Sequence, residues 1–137
     1  IEFVVEDFEK ARQFLEALGY QRSFYYEKYR TTYDLGSASL PANTQKQISG
    51  FHTCHIMLDE MPYGSFVEIE GESAESIRAV AEGLGLDWDA AIPTSYHVLF
   101  ERLCVQHSEL DPKELSFAAL KGLDIAVEEL SIRAGDA

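Results

Sequence analysis

Basic residues are scarce in this chain. Eleven Lys and Arg stand against twenty-four Asp and Glu, a formal charge of −13 over 137 residues. Binding nucleic acid or an anionic membrane over a broad surface needs clustered Lys and Arg, so that balance argues against both. A small anionic ligand remains compatible with it, provided a local basic cluster or a metal receives the anion. Cysteine is scarcer still: Cys54 and Cys104 make no disulfide framework, which points to a reducing compartment. With neither an apolar run of membrane-spanning length nor a signal-peptide pattern in these residues, the cytoplasm is the expected location. A Gly-rich phosphate loop, a nucleophile elbow and a Ser/His/Asp set are all missing. His52, Cys54 and His55 lie close together but match no zinc spacing, and a strand would place Cys54 and His55 on opposite faces.

The hydrophobic fraction, 46%, is ordinary for a globular protein, and residues 1–137 read as one domain able to bury a core. The opening Ile1-Glu2-Phe3-Val4-Val5 reads as a strand. A domain that starts inside a strand leaves an edge to be paired, so a further segment is expected upstream. Asp7 then serves as an N-cap, and Phe8, Ala11, Phe14, Leu15 and Leu18 recur at helical spacing up to Gly19. Residues 21–34, dense in aromatics and Thr, predict one long strand, and residues 36–50 a loop or a loosely paired hairpin end. Ser73 caps a second helix with Ile77, Val80, Ala81 and Leu84 inward, ended by Gly85. Trp88 and Pro93 sit in a connection, and Thr94 or Ser95 opens a third helix with Tyr96, Leu99, Leu103 and Cys104 on its inner side. Beyond Asp111-Pro112, the apolar residues Phe117, Leu120, Leu123, Ile125, Val127 and Leu130 follow neither period; a short helix, then a helix or an edge strand, is expected.

The stretch from His55 to Gly71 carries the chemistry. Two extended segments meet at Met61-Pro62-Tyr63-Gly64, where Pro and Gly supply a turn. In the second segment Phe66, Glu68 and Glu70 alternate with Val67 and Ile69, which puts the two carboxylates on one side, roughly 6.6 Å apart along the backbone. In the first segment Asp59 shares its side with Met57 and His55, so a hairpin lets three carboxylates converge. Two carboxylates about 7 Å apart repel by only ~0.6 kcal/mol in water, but by ~2.4 kcal/mol at an effective dielectric of 20. On a wet sheet face the cluster is harmless, and a hairpin with a polar outer face gives the same alternation. In a water-poor cavity it needs a cation, and hard oxygen ligands suit Mg²⁺ or Mn²⁺ better than Zn²⁺.

Lys28 and Arg30, two apart in the long strand, share a face with Tyr26 and Thr32. Alone they fit a solvated face. Beside a carboxylate set they fit phosphoryl chemistry, in which a planar Arg fork and a mobile Lys hold phosphate oxygens that a metal bridges. Tyr25, Tyr29 and Tyr33 point the other way and read as packing residues.

Glu27-Lys28-Tyr29-Arg30-Thr31-Thr32-Tyr33, followed by Leu58-Asp59-Glu60-Met61-Pro62-Tyr63-Gly64-Ser65-Phe66-Val67-Glu68-Ile69-Glu70-Gly71, resembles the second half of a CYTH domain. Leu18-Gly19-Tyr20 ahead of the basic pair and Ser95-Tyr96 at the later helix extend the likeness over about residues 1 to 105. These are the triphosphate tunnel metalloenzymes, among them class IV adenylyl cyclases, thiamine triphosphatases and inorganic tripolyphosphatases. The resemblance implies an α+β fold: an antiparallel β-tunnel with a charged bore and helices packed outside. This chain would supply about half the strands, and the family's opening Glu-x-Glu-x-Lys strand is not among its residues. By position, Lys28 and Arg30 match the family's phosphate-binding and catalytic basic pair. Asp59, Glu68 and Glu70 match its metal-site carboxylates, with Mg²⁺ or Mn²⁺ as cofactor. The family's basic residue near the C-terminus has no assigned counterpart here, Lys121 and Arg133 both being candidates. Pro62-Tyr63-Gly64 replaces the common Leu-Gly turn. The implied substrate is a triphosphate such as ATP, thiamine triphosphate or tripolyphosphate. Two alternatives stand beside it: a module that binds polyphosphate or nucleotide without chemistry, and a half-domain completed as a homodimer.

Overall fold

The computed structural model describes residues 4–35 and 54–136. It is an α+β arrangement whose centre is a three-stranded antiparallel meander, β2 (Tyr29–Leu35), β3 (Cys54–Met61) and β4 (Gly64–Glu70), with β3 in the middle. The predicted hairpin forms with its turn at Pro62-Tyr63. Gly64 follows at φ +147°, a backbone conformation that L side chains rarely adopt. Register sets Arg30 opposite Asp59, Asp59 opposite Phe66, and Met57 opposite Glu68. Opposed residues share a face, so one side of the sheet carries Arg30, Asp59, Phe66, Glu68 and Glu70. The other carries Tyr33, Ile56, Leu58, Val67 and Ile69.

The three helices expected ahead of Asp111 each form where a side chain caps them. Asp7 accepts from the Lys10 backbone at the head of α1 (Phe8–Ala17). Ser73 and Ser76 form a reciprocal capping box on α2 (Ala74–Gly83), and Ser95 caps α3 (Tyr96–Gln106). Gly71 lets α2 approach closely, since a Cβ there would stand 2.9 Å from Ser76 Oγ and 3.0 Å from Cys54 Sγ. Val80 of α2 then packs on Cys54, Ile56 and Ile69. The larger core lies at the turn end of the charged face, where Met61 and Tyr63 meet Leu99, Phe100 and Leu103 of α3. Leu110, Leu115, Leu120 and Leu130 close it. Phe100, absent from the sequence-derived stripe, is fully buried, and Cys104 lies half-buried against this core.

Several expectations change. The strand over 21–34 is broken: Tyr25–Tyr26 forms a separate β1, paired in parallel with β5 (Glu114–Leu115). The break follows from Glu27, whose backbone N–H donates to the Leu115 carbonyl at 2.9 Å and whose carboxylate accepts from the Tyr25 hydroxyl and the Phe117 N–H. That side chain binds the chain to its C-terminal segment, and β2 starts afresh beyond it. Of the expected first strand, Val4 and Val5 lie in no strand, and Ile1–Phe3 fall outside the described residues, as do the loop at 36–50 and His52. After α3 there is no further α-helix among the described residues; the tail is β5, turns and one 3₁₀ turn, Val127–Leu130. Its leucines enter the core singly, which explains the missing period.

Two apolar surfaces stay bare. None of the ten residues of α1 is buried, and Phe8, Phe14 and Leu15 are exposed on it. Val67, which with Ile69 lies on the face that a tunnel with helices outside would cover, is 41% exposed, because α2 covers only the Ile56–Ile69 end of that face. Tyr29 and Tyr33, expected as packing residues, are exposed as well, although the Tyr29 ring lies 5.1 Å from Phe117. Among the described residues the sheet is open, with β2 and β4 as its edges. No described helix is long and apolar enough to cross a membrane.

Candidate functional site

Asp59 is the centre of the charged face. It sits in the middle of the central strand, is 1% exposed, and its carboxylate accepts four hydrogen bonds. Arg30, opposite it on β2, makes a two-pronged contact: Nε to Oδ1 at 2.6 Å and Nη2 to Oδ2 at 2.5 Å. Lys28 Nζ reaches Oδ2 at 3.1 Å from the break before β2. The Tyr96 hydroxyl donates to the same oxygen at 2.8 Å. Four donors are about the full complement of an ionised carboxylate. Burial alone would push the Asp59 carboxyl upward, but Arg30, Tyr96 and Lys28 together hold it well below the usual carboxylate range.

Arg30 also reaches across the sheet. Its Nη2 donates to Glu68 Oε2 at 2.6 Å, so carboxylate oxygens from β3 and β4 both lie within 2.6 Å of one nitrogen. The hydrogen bonds it donates to Asp59, supported by Glu68, hold the guanidinium firmly protonated. Glu70, the third predicted carboxylate, lies at the far end of β4 opposite His55. Lys28, Arg30, Asp59 and Glu68 line an open cleft of about 1690 Å³, and Glu70 does not. Arg133 lines the same cleft but pairs with Asp87 at 2.8 Å, while Lys121 lies outside it. The structure thus brings four of the five predicted residues into one ion network.

Two tyrosines complete the arrangement. Tyr96, the first residue of α3, packs its ring edge-on against Phe66 at 5.3 Å and stands under Lys28 Nζ, also 5.3 Å from the ring centre. Burial first, and then the Asp59 carboxylate, drives the Tyr96 phenol far above its ordinary range, so it stays a neutral donor. The buried Tyr63 hydroxyl in the hairpin turn donates to the Tyr96 carbonyl at 2.9 Å and fixes the start of α3 to the sheet. Sequence reasoning placed Tyr96 inward but gave its hydroxyl no task. The signal was there: a phenol facing a core must find a polar partner, and the same face offered Asp59.

Oxygen donors from Asp59 and Glu68 that converge on one cationic point match in chemistry what Mg²⁺ or Mn²⁺ takes. Arg30 Nη2 holds that point, and among the described residues no set of three His, Cys, Asp or Glu is arranged for a metal ion. Compared with family models, curated proteins and solved structures, the chain finds no match.

Proposed function

We propose that this chain is the acidic-and-basic half of a divalent-metal-dependent enzyme that acts on a triphosphate, on the plan of the CYTH tunnel enzymes. Lys28 and Arg30 take phosphate oxygens and neutralise the charge that builds there as a phosphoryl or nucleotidyl group departs. Glu68 and Asp59, with Glu70 further along β4, supply the oxygen donors for Mg²⁺ or Mn²⁺. The metal's contribution, when bound, is to polarise phosphate oxygens and offset their charge. The candidate substrates are ATP, thiamine triphosphate and tripolyphosphate. Further strands, from elsewhere in the protein or from a second copy as a homodimer, would add at the edges of β2 and β4 to close the bore. The reduced Cys54 and Cys104 accord with a cytoplasmic protein.

One observation carries this reading: a buried carboxylate, a second carboxylate and two cations, from three neighbouring strands and the break ahead of β2, meet in a single cluster that opens onto a cleft. As a core element such a grouping adds little stability, because a pair of apolar residues would fill the same volume at less desolvation cost. The test is turnover of the three triphosphates by the full-length protein with and without Mg²⁺. If none is turned over, or if Glu68→Gln and Glu70→Gln leave turnover intact, the enzyme reading fails. A second reading, a module that binds a polyphosphate without chemistry, is favoured by the fully engaged state of Asp59; metal-dependent binding with no product would support it.

A further inference from the structure

The cluster contains its own substitutes for both ligands. Arg30 Nη2 stands between Asp59 and Glu68, where a cation shared by two carboxylates belongs. Asp59, in turn, stands among Lys28, Arg30 and the Tyr96 hydroxyl, as an anion among its donors would. Each charged group satisfies the other set. A free polyphosphate must therefore pull Lys28 and Arg30 away from a fully buried carboxylate and leave that carboxylate without its cations, an expensive state. A free divalent cation must evict a guanidinium that is held by three hydrogen bonds to two carboxylates.

Resting on the triphosphate reading above, we propose that this site is self-neutralised and takes its two ligands only as a pair, the polyphosphate together with its divalent cation. Arg30 and Lys28 leave the carboxylates for phosphate oxygens in the same exchange that leaves Asp59 and Glu68 free to hold the cation. Neither half-exchange is stable alone, because each strands a charge of one sign. The two exchanges together conserve the number of ion pairs. Tyr96 retains its hydrogen bond to Asp59 throughout and keeps the carboxylate aimed at the cluster while its cationic partners change. By linkage, each ligand then raises the affinity for the other by one common factor.

Calorimetry on the full-length protein tests this, with inorganic tripolyphosphate titrated in the presence of Mg²⁺ or of a chelator. The expected wild-type result is at least a tenfold gain in tripolyphosphate affinity from Mg²⁺. Glu68→Gln, a change at a half-exposed side chain that leaves Asp59 paired, should tighten metal-free binding about fivefold and cut the Mg²⁺ gain to threefold or less. Glu60→Gln removes the same charge from the opposite face of β3 and serves as the control for general electrostatics; it should change both quantities by less than twofold. Asp59→Asn should act like Glu68→Gln if it folds, and the Glu68 variant decides the matter if it does not. Equal tripolyphosphate affinity with and without Mg²⁺, or a Mg²⁺ gain that Glu68→Gln and Glu60→Gln reduce alike, overturns the exchange while leaving the triphosphate site standing. Absence of tripolyphosphate binding under every condition would instead remove the site itself.

Discussion

The replacement Asp59→Asn removes a charge from the least accessible position in the sheet while keeping its shape. Two cations lose their common partner: Lys28, whose side chain is 19% exposed, and Arg30, 31% exposed. Breaking a fully buried pair typically costs several kcal/mol. Both cations here have a route to water and Arg30 retains Glu68, so the lower end of that range applies, about 3 kcal/mol. With a urea dependence of about 1.5 kcal/mol per molar, the unfolding midpoint should fall by about 2 M at neutral pH. The same carboxylate sets an acid limb. Its folded-state pKa lies below the unfolded value of about 3.9, so its stabilisation is complete above that pH and is lost as pH falls toward the folded value. The gap between wild type and variant, followed by urea titration in chelator-containing buffer from pH 7 to 2.5, should therefore narrow below about pH 4. A gap under about 1 kcal/mol at pH 7, or one that is constant into acid, would refute the claim that Asp59 is ionised and clamped.

Other outcomes follow from the same contacts. Arg30→Lys preserves charge but loses the two-pronged geometry, so KM for the triphosphate should rise about tenfold with a smaller change in kcat, read by steady-state kinetics. Phe14→Ser with Leu18→Ser should move the unfolding free energy in urea titration by no more than about 0.5 kcal/mol, since Phe14 and Leu18 are both exposed and no residue of α1 is buried. His107 lies between Glu129, at 2.7 Å from Nε2, and Glu109, at 3.1 Å from Nδ1, and the two carboxylates raise its pKa. The resulting stabilisation is present below the unfolded pKa and disappears as pH rises through the folded one; His107→Gln should abolish that slope in thermal melts taken across neutral pH.

What could be read from the chain was what is local. Asp7, Ser73 and Ser95 announce their helices because a cap acts over three residues, and the Pro62-Gly64 turn fixes the β3–β4 register because nothing intervenes. That register places Glu68 with Met57 as alternation demands. The partnership of Arg30 with Asp59 is of another kind, since the segment between Leu35 and Cys54 is too long for its length to set the alignment of β2 on β3. Sequence likeness proposed those residues as members of one site, but it assigned Asp59 to a metal and Arg30 to phosphate, and gave no hint that each would hold the other. The interruption at Glu27 was illegible for a similar reason: its cause, Phe117, lies ninety residues away. Beyond Pro112 the chain follows no repeating pattern because β5 answers to β1 and not to its own neighbours.

The short ladder between Tyr25–Tyr26 and Glu114–Leu115 gives the tail a mechanical role. Lys28 emerges one residue after a peptide moored to Leu115 and Phe117, so its reach toward Asp59 is set from a distant anchorage. A chain cut after Gln106 would keep every charged member of the cluster and yet slacken one of its cations. Substitutions around the buried Ser116, between Leu115 and Phe117, are where the reach of Lys28 toward Asp59 could be tuned without altering a charged group of the cluster.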